Sequence, residues 1–181
     1  MSAVFTISTP VASIRGKSIA TVLAVATAIA LPQALHALGV ATGVGPAVGQ
    51  SLLPMFWPVL LVALLAGPLA GVAAGLLSPL LAFALSGMPA LPMLLPITTQ
   101  LVVLAAVAGL LAKTKVPLAA NCVAAVVAGW LARLAVVAIT GGSAVSVWDA
   151  VVSGWPGLLV LLVAVPLIVM LIGRMTKSAA R

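Results

Sequence analysis

Six long apolar segments divide this chain, and glycine and proline clusters or charged residues separate each one from the next. About 20 apolar residues are enough for a helix to cross the hydrocarbon core of a bilayer. Only 5% of the residues are charged and 65% are hydrophobic, which is far from the balance of a soluble domain. We therefore expect an all-α integral membrane protein. It would be a compact bundle of six transmembrane helices over residues 18–38, 52–66, 68–86, 93–112, 118–140 and 156–173.

Two of the six segments are ambiguous. The second is short and contains Pro54 and Pro58, so it is expected to be tilted, kinked or partly interfacial, and five spans is the alternative count. The first follows Arg15 and Lys17 as the apolar core of a signal peptide would. Its apolar run extends to Leu38, too long for such a core, so we expect it to be retained as a helix.

The basic residues predict the orientation of the bundle, because short cytoplasmic loops collect lysine and arginine. With both chain ends in the cytoplasm, seven of the eight basic residues fall inside and the single acid, Asp149, falls outside. This predicts a multi-pass protein of the cell membrane. Its parts are a cytoplasmic tail at 1–17, a six-helix domain at 18–173 and a basic cytoplasmic tail at 174–181. The seven residues are Arg15, Lys17, Lys113, Lys115, Arg174, Lys177 and Arg181.

The chain has few residues of the kinds that carry chemistry. One acid, one histidine and one cysteine make neither a catalytic carboxylate pair nor a zinc site with the usual number of ligands. Residues 16–18 (GKS) match the end of a phosphate-binding loop, but Val11 stands where its first glycine belongs. We expect no enzyme activity, no catalytic residue, no metal and no cofactor. The positive charge follows membrane orientation and does not indicate nucleic acid.

Arg133 is the eighth basic residue, and it lies inside an apolar segment. A guanidinium at membrane depth is costly and usually faces a cavity or a partner, so it indicates a functional site. Arg133 lies about 22 Å along its helix from the predicted inner end, in the outer half of the membrane. We predict a substrate-binding site there, formed by Arg133, Gln100, Thr99, His36, Trp130 and Trp57.

These residues also have simpler interpretations. Arg133 can bond backbone carbonyls or extend to the membrane surface, and Gln100 can bond a neighbouring helix. Histidine and tryptophan are common near the membrane interface, and tryptophan also packs in cores. The predicted site therefore depends first on Arg133, because an arginine is unusual inside a membrane helix.

The loops predicted outside are longer than the tight turns predicted inside, and they cover residues 39–50, 87–92 and 141–155. Glycines make the first of these loops pliable, and a Gly-Met-Pro sequence bends the second. The loops either close as a lid over an outward-facing pocket or are ordinary solvent loops. The residues predicted for the lid are Gly43, Gly45, Gly87, Met88 and Pro89.

A series of short motifs runs through the first three segments and the loop that follows them. It consists of LPQALHALG at 31–39, LPM at 53–55, PVL at 58–60, GP at 67–68 with Gly71 and Gly75, LSPL at 77–80 and GMP at 87–89. Together with the arginine of the fifth segment, this series resembles the substrate-binding S components of energy-coupling factor (ECF) transporters. The resemblance spans residues 31–138.

The resemblance implies a six-helix bundle that captures a vitamin or related micronutrient from outside. Arg133 adds the expectation that this solute is small and anionic. Such a protein works with a transmembrane coupling subunit and two cytoplasmic ATPases. The resemblance also implies that Ala20, Ala24 and Ala28, spaced four residues apart on the first helix, contact the coupling subunit. Gln100 departs from the family pattern, in which an acid often stands in the fourth span, so the solute stays open. Two alternatives remain: a stand-alone solute transporter or channel, and a structural subunit in which Arg133 pairs with a neighbour's acid.

Overall fold

The computed structural model describes residues 11, 13–43 and 51–179, with side chains as far as residue 175. In that part of the chain every regular element is an α-helix, as expected. The seven helices are α1 (Ile14–Ala41), α2 (Phe56–Ala66), α3 (Pro68–Ser86), α4 (Leu91–Leu111), α5 (Leu118–Ile139), α6 (Ala144–Ser153) and α7 (Trp155–Ala179).

Five of the described helices are long and apolar enough to cross a membrane, namely α1, α3, α4, α5 and the Trp155–Met175 part of α7. Their mean hydropathy runs from 1.8 to 2.7. The shortest, α3, has 19 residues, or about 28 Å of helix, which is close to the thickness of the hydrocarbon core. The chain thus has the structure of a multi-pass helical membrane protein. Among the described helices, however, five and not six have the length of a full span.

The short helix α2 accounts for the difference. Only 11 residues of the segment predicted at 52–66 are helical, which gives about 16 Å of helix, roughly half a span. Eight of those 11 residues are buried, among them Val59, Leu60 and Leu64. Since α2 packs against α1, α3, α4 and α7, it is a central helix of the bundle.

Gly67 connects α2 directly to α3. Its φ of 97° and ψ of 176° lie in a region that essentially only glycine occupies. The two helices then pack tightly, because a Cβ atom on Gly71 would lie 2.5 Å from the Cβ of Ala63. Gly67 is therefore needed for the turn, and Gly71 is needed for the close approach of the two helices.

Two further glycines bring the backbones of α3 and α4 together. A Cβ on Gly75 would lie 2.9 Å from the carbonyl carbon of Leu101, and a Cβ on Gly109 would lie 2.5 Å from the Cα of Pro68. Membrane helices associate through such small residues, since lipid tails are as apolar as leucine and burial alone does not drive the contact. These two contacts hold α4 against α3 near both the middle and the end of α4.

The long helices begin and end near the predicted positions. The bounds of α3 are as predicted, and those of α4 and α5 differ by at most two residues. α1 begins earlier than predicted, because the side chain of Ser13 accepts a hydrogen bond from the backbone N of Gly16 at 3.0 Å and caps the helix. α7 extends through Arg174 as far as Ala179.

The stretch 141–155, predicted as a loop, contains helix α6. Ser143 caps it by accepting a hydrogen bond from the backbone N of Val145 at 3.2 Å. With ten residues α6 is too short to span a bilayer, and Val147 is its buried residue. Polar Ser146 and Asp149 interrupt its apolar residues, which is why the sequence showed no apolar segment there.

Candidate substrate-binding site

A cavity of about 390 Å³ lies at one end of the bundle. The last turns of α5 and the first turns of α4 form part of its wall, so it lies away from the 112–117 turn that joins these two helices. Its volume is in the range of pockets that bind small molecules. The described lining residues fall within 29–33, 53–56, 82–90, 93–97, 130–133 and 150–153.

Arg133 lies in the cavity wall and is only 6% exposed. Its Nη1 donates a hydrogen bond to Oε1 of Gln100 across 3.2 Å, and Gln100 is itself fully buried behind it. The bond joins α5 to α4. The guanidinium is therefore held by a neighbouring helix inside the bundle and does not extend to the membrane surface.

Gly129, one turn before Arg133, makes this contact possible. A Cβ atom at Gly129 would lie 3.0 Å from the carbonyl oxygen of Gln100 and 3.2 Å from the Cβ of Leu104. Both distances are shorter than ordinary carbon contacts, so a larger residue would push α4 and α5 apart. Since the arginine and the glutamine reach each other across that same interface, the spacing set by Gly129 sets their geometry.

Trp130 forms a second contact to the guanidinium. The Cζ atom of Arg133 lies 5.3 Å from the centre of the Trp130 ring, within range of a cation–π interaction. Both residues line the cavity. The aromatic face stabilises the charge and offers a flat apolar surface beside it.

The guanidinium keeps its charge and some of its hydrogen-bonding capacity. Arginine only donates, so Gln100 must present its oxygen to Arg133, which leaves the amide nitrogen of Gln100 on the other side. That nitrogen and Nε of Arg133 are buried and have no hydrogen-bond partner. Because an amide is neutral, it orients the cation without cancelling its charge.

Among the described residues, no acidic side chain compensates this charge at the cavity wall. Asp149 is the only acidic residue in the sequence, and it is exposed and does not line the cavity. A buried cation without a counter-ion is costly in a membrane. The site is therefore complementary to an anion that comes from outside the chain.

Most of the remaining wall is apolar. It contains three methionines, which adapt their shape to a ligand more readily than branched side chains do. They are Met55, Met88 and Met93. The peptide between Met88 and Pro89 is cis. Of the described lining residues, Gln33 and Ser153 add polar side chains, and both are exposed, whereas Arg133 is buried.

The structure brings part of the predicted site together. Arg133 and Trp130 line the cavity, and Gln100 lies behind Arg133 and contacts it. Of the predicted lid residues, Met88 and Pro89 line the cavity, and Gly87, with φ of 71°, ends α3 immediately before them. Gly43 is exposed near the end of α1, and Gly45 lies outside the described residues.

Besides Gln100, which lies behind Arg133, three predicted substrate-binding residues are not on the described cavity wall. His36 is exposed, one turn beyond the lining residue Gln33. Trp57 and Thr99 are half-buried. Trp57 follows the lining residue Phe56, and Thr99 precedes Gln100. Because each step along a helix rotates a side chain by about 100°, neither points in the same direction as that neighbour. Phe56 occupies the wall where Trp57 was expected, and the Nε1 of Trp57 is buried without a partner.

The alanines predicted to contact a coupling subunit are placed differently from one another. Ala24 and Ala28 are buried in the hydrophobic core of the bundle, and Ala20 is half-buried against it. The exposed face of α1 carries Val22 and Leu23. Contact with a partner through these alanines stays a prediction, and in this structure they pack against the chain's own helices.

Sequence reasoning missed the apolar wall and the contribution of α6, whose Ala150 and Ser153 line the cavity. A signal for the wall was present, since Met55, Met88 and Met93 all fall near predicted outer ends of segments. The two α6 residues had no such signal, because the helix itself was not predicted.

Comparison with known proteins adds no relative, since no family model, no curated protein and no solved structure matches the chain.

Proposed function

We propose that this chain is the substrate-binding membrane subunit of an ECF-type importer and captures a small, anionic, vitamin-like solute from outside the cell. One observation carries the proposal. Arg133, at 6% exposure in a membrane helix, lies on the wall of a small-molecule-sized cavity, and the side chain that holds its Nη1 is a neutral amide. A buried guanidinium with spare donors and no internal counter-ion is suited to a carboxylate or phosphate.

The orientation of the cavity follows from the positive-inside rule. Lys113 and Lys115 lie in the turn between α4 and α5, and Arg174 lies near the end of α7. The cavity lies at the opposite ends of α4 and α5. If lysine and arginine collect in the cytoplasm, the cavity is open to the outside, as uptake requires.

In this proposal the chain supplies recognition, and separate subunits supply energy. A solute would bind Arg133 through charge-assisted hydrogen bonds while its apolar part displaces water from the methionine and proline wall. The loop at 87–90 and helix α6 would close the mouth. A transmembrane coupling subunit and two cytoplasmic ATPases would then release the solute inward, so this chain acts without catalysing a reaction.

The position of Arg133 favours a solute over a structural role. A subunit that uses an arginine to pair with a neighbour's carboxylate needs that arginine on its lipid-facing surface. Arg133 instead faces an internal cavity, and its Nη1 is bonded to Gln100 of the same chain. An acid on a neighbouring helix would have to enter the bundle to reach it.

Native mass spectrometry of the purified protein tests the binding function. We expect a small molecule that co-purifies with the wild type and is lost from Arg133→Ala. Asn121→Ala is the matched control, because Asn121 is a buried polar residue of the same helix whose Nδ2 bonds the Ala108 carbonyl at 3.0 Å, about 18 Å from Arg133 along α5. This control should keep the molecule.

Two results would contradict the proposal. If Arg133→Ala retains the same molecule as the wild type, Arg133 is not the binding residue. If the wild type carries none and Arg133→Ala instead releases a protein partner, the chain is a structural subunit. Solute uptake by proteoliposomes that contain this chain alone would favour a stand-alone transporter over an importer subunit.

A further inference from the structure

We infer that the site selects a solute with a single negative charge and an apolar body, and that it rejects dianions and zwitterions. This inference rests on the proposed function and specifies its substrate class. It follows from the charges at the cavity, the chemistry of its wall and the location of its few polar groups.

The cavity wall has a single charge to offer a ligand. Among the described lining residues Arg133 is the one ionic side chain. Its partner Gln100 is neutral, so the guanidinium balances one negative charge of a ligand. A second negative charge in the same enclosed space would have no counter-ion, and a buried unpaired charge is strongly unfavourable.

A positive group on the solute would be equally unpaired. Asp149 is the chain's only acid and is exposed and away from the described wall. The ammonium of a zwitterion would lie beside the Arg133 guanidinium, where like charges repel. The composition of the site therefore excludes free amino acids as ligands, although they carry a suitable carboxylate.

The distribution of polar groups sets the orientation of the solute. Arg133 is buried, whereas Gln33 and Ser153, which also bring polar side chains to the described wall, are exposed. Gln33 also bonds Ser86 through its Nε2 at 3.2 Å. The described wall also contains Ile29, Phe56, Met93 and Ile97 and the ring of Trp130, all of them largely apolar. The anion should enter first, the apolar body should fill the middle, and a neutral polar group fits only at the outer end.

A matched set of small probes tests this on the full-length protein in lipid nanodiscs. The probes are 3-phenylpropanoate, its neutral amide 3-phenylpropanamide, phenylalanine, which adds an ammonium, and phenylsuccinate, which adds a second carboxylate. Binding is measured by calorimetry. We expect 3-phenylpropanoate to bind and its amide to bind about 10- to 100-fold more weakly, the factor expected for one hydrogen bond to a charged group. Phenylalanine and phenylsuccinate should bind at least as weakly as the amide, because each adds a charge that has no counter-ion at the site. The comparison uses wild-type protein and needs no variant to fold.

Two variants test the same inference. Arg133→Gln should bind the acid and the amide with similar, weak affinity, while Asp149→Asn should discriminate between the probes as the wild type does. Phenylsuccinate or phenylalanine binding as tightly as 3-phenylpropanoate would overturn the inference, and so would no binding of 3-phenylpropanoate at all. In either case an Arg133-dependent molecule found on the purified protein would leave the proposed function standing, so the two failures are distinguishable.

Discussion

Nη1 of Arg133 and Oε1 of Gln100 are joined by a hydrogen bond of 3.2 Å between α5 and α4, both within the buried interior of the bundle. A neutral amide thus holds the one basic residue of the apolar segments. A carboxylate at the same place would hold it equally well but would neutralise it. Because Gln100 is neutral, the positive charge of Arg133 is left for the proposed ligand.

Gln100→Glu should weaken anion binding without unfolding the protein. The glutamate has nearly the same shape and would form an internal ion pair with Arg133, so the cation would no longer attract a solute. We expect the affinity for 3-phenylpropanoate or for the co-purified solute to fall at least about tenfold, with thermal stability equal to that of the wild type or higher.

Gln33→Glu is the matched control for this change. It introduces the same substitution into the same cavity, but at an exposed residue whose hydrogen bond is to Ser86 and not to Arg133. Its effect on affinity should be several times smaller. Equal losses in the two variants, measured by calorimetry in nanodiscs, would show that overall charge and not the Arg133–Gln100 pair decides binding.

Gly129→Ala should weaken binding although it removes no polar group. The added Cβ would meet the Gln100 carbonyl oxygen at 3.0 Å and separate α4 from α5. The arginine and the glutamine would then lose their alignment. Ala138→Val adds carbon to an exposed position of the same helix and should leave affinity unchanged. Wild-type affinity in Gly129→Ala would contradict the view that this helix spacing positions Arg133.

Gly109→Ala should reduce stability and leave the site chemistry intact. A Cβ there would lie 2.5 Å from the Cα of Pro68, at the turn into α3. Overpacking a tight interface costs about 1–3 kcal/mol. The thermal unfolding midpoint in detergent should drop clearly, while Ala26→Val, on the exposed side of α1, should change it little. An unchanged midpoint would mean that the α3–α4 contact can relax without loss.

Cysteine labelling tests the membrane orientation. Cys122 is fully buried, so the wild type should not react with a membrane-impermeant maleimide and serves as the blank. Ser146→Cys, on α6, should react in intact cells. Ser18→Cys, Thr114→Cys and Met175→Cys should react only after the membrane is opened.

If Ser18→Cys and Met175→Cys react on the same side of the membrane, the number of crossings is even. The segment that contains α2 then makes the sixth crossing. Reaction on opposite sides would mean that α2 does not complete a crossing and would return the count to five. Labelling of Thr114→Cys in intact cells would invert the whole orientation and place the cavity in the cytoplasm.

The sequence by itself determined the class of the protein and the limits of most helices. Uninterrupted apolar runs can satisfy their backbone hydrogen bonds in lipid only as helices, so α3, α4 and α5 lie within two residues of their predicted bounds. The sequence also predicted Arg133 as the centre of the proposed site, because a cation inside an apolar segment is conspicuous without any structure, and the structure places it on the cavity wall. Its closeness to Trp130 follows from their three-residue spacing on one helix.

Only the tertiary structure decided what surrounds Arg133. The pairing with Gln100 depends on how α4 and α5 pack against Gly129, and a helix's own periodicity does not give its rotation relative to a neighbour. For the same reason Phe56 lies on the wall and Trp57 does not. The sequence did show that the second segment is short and gave five spans as the alternative count, but it did not show that α2 is central or that α6 forms at all. These features depend on contacts between distant parts of the chain, which local sequence patterns do not show.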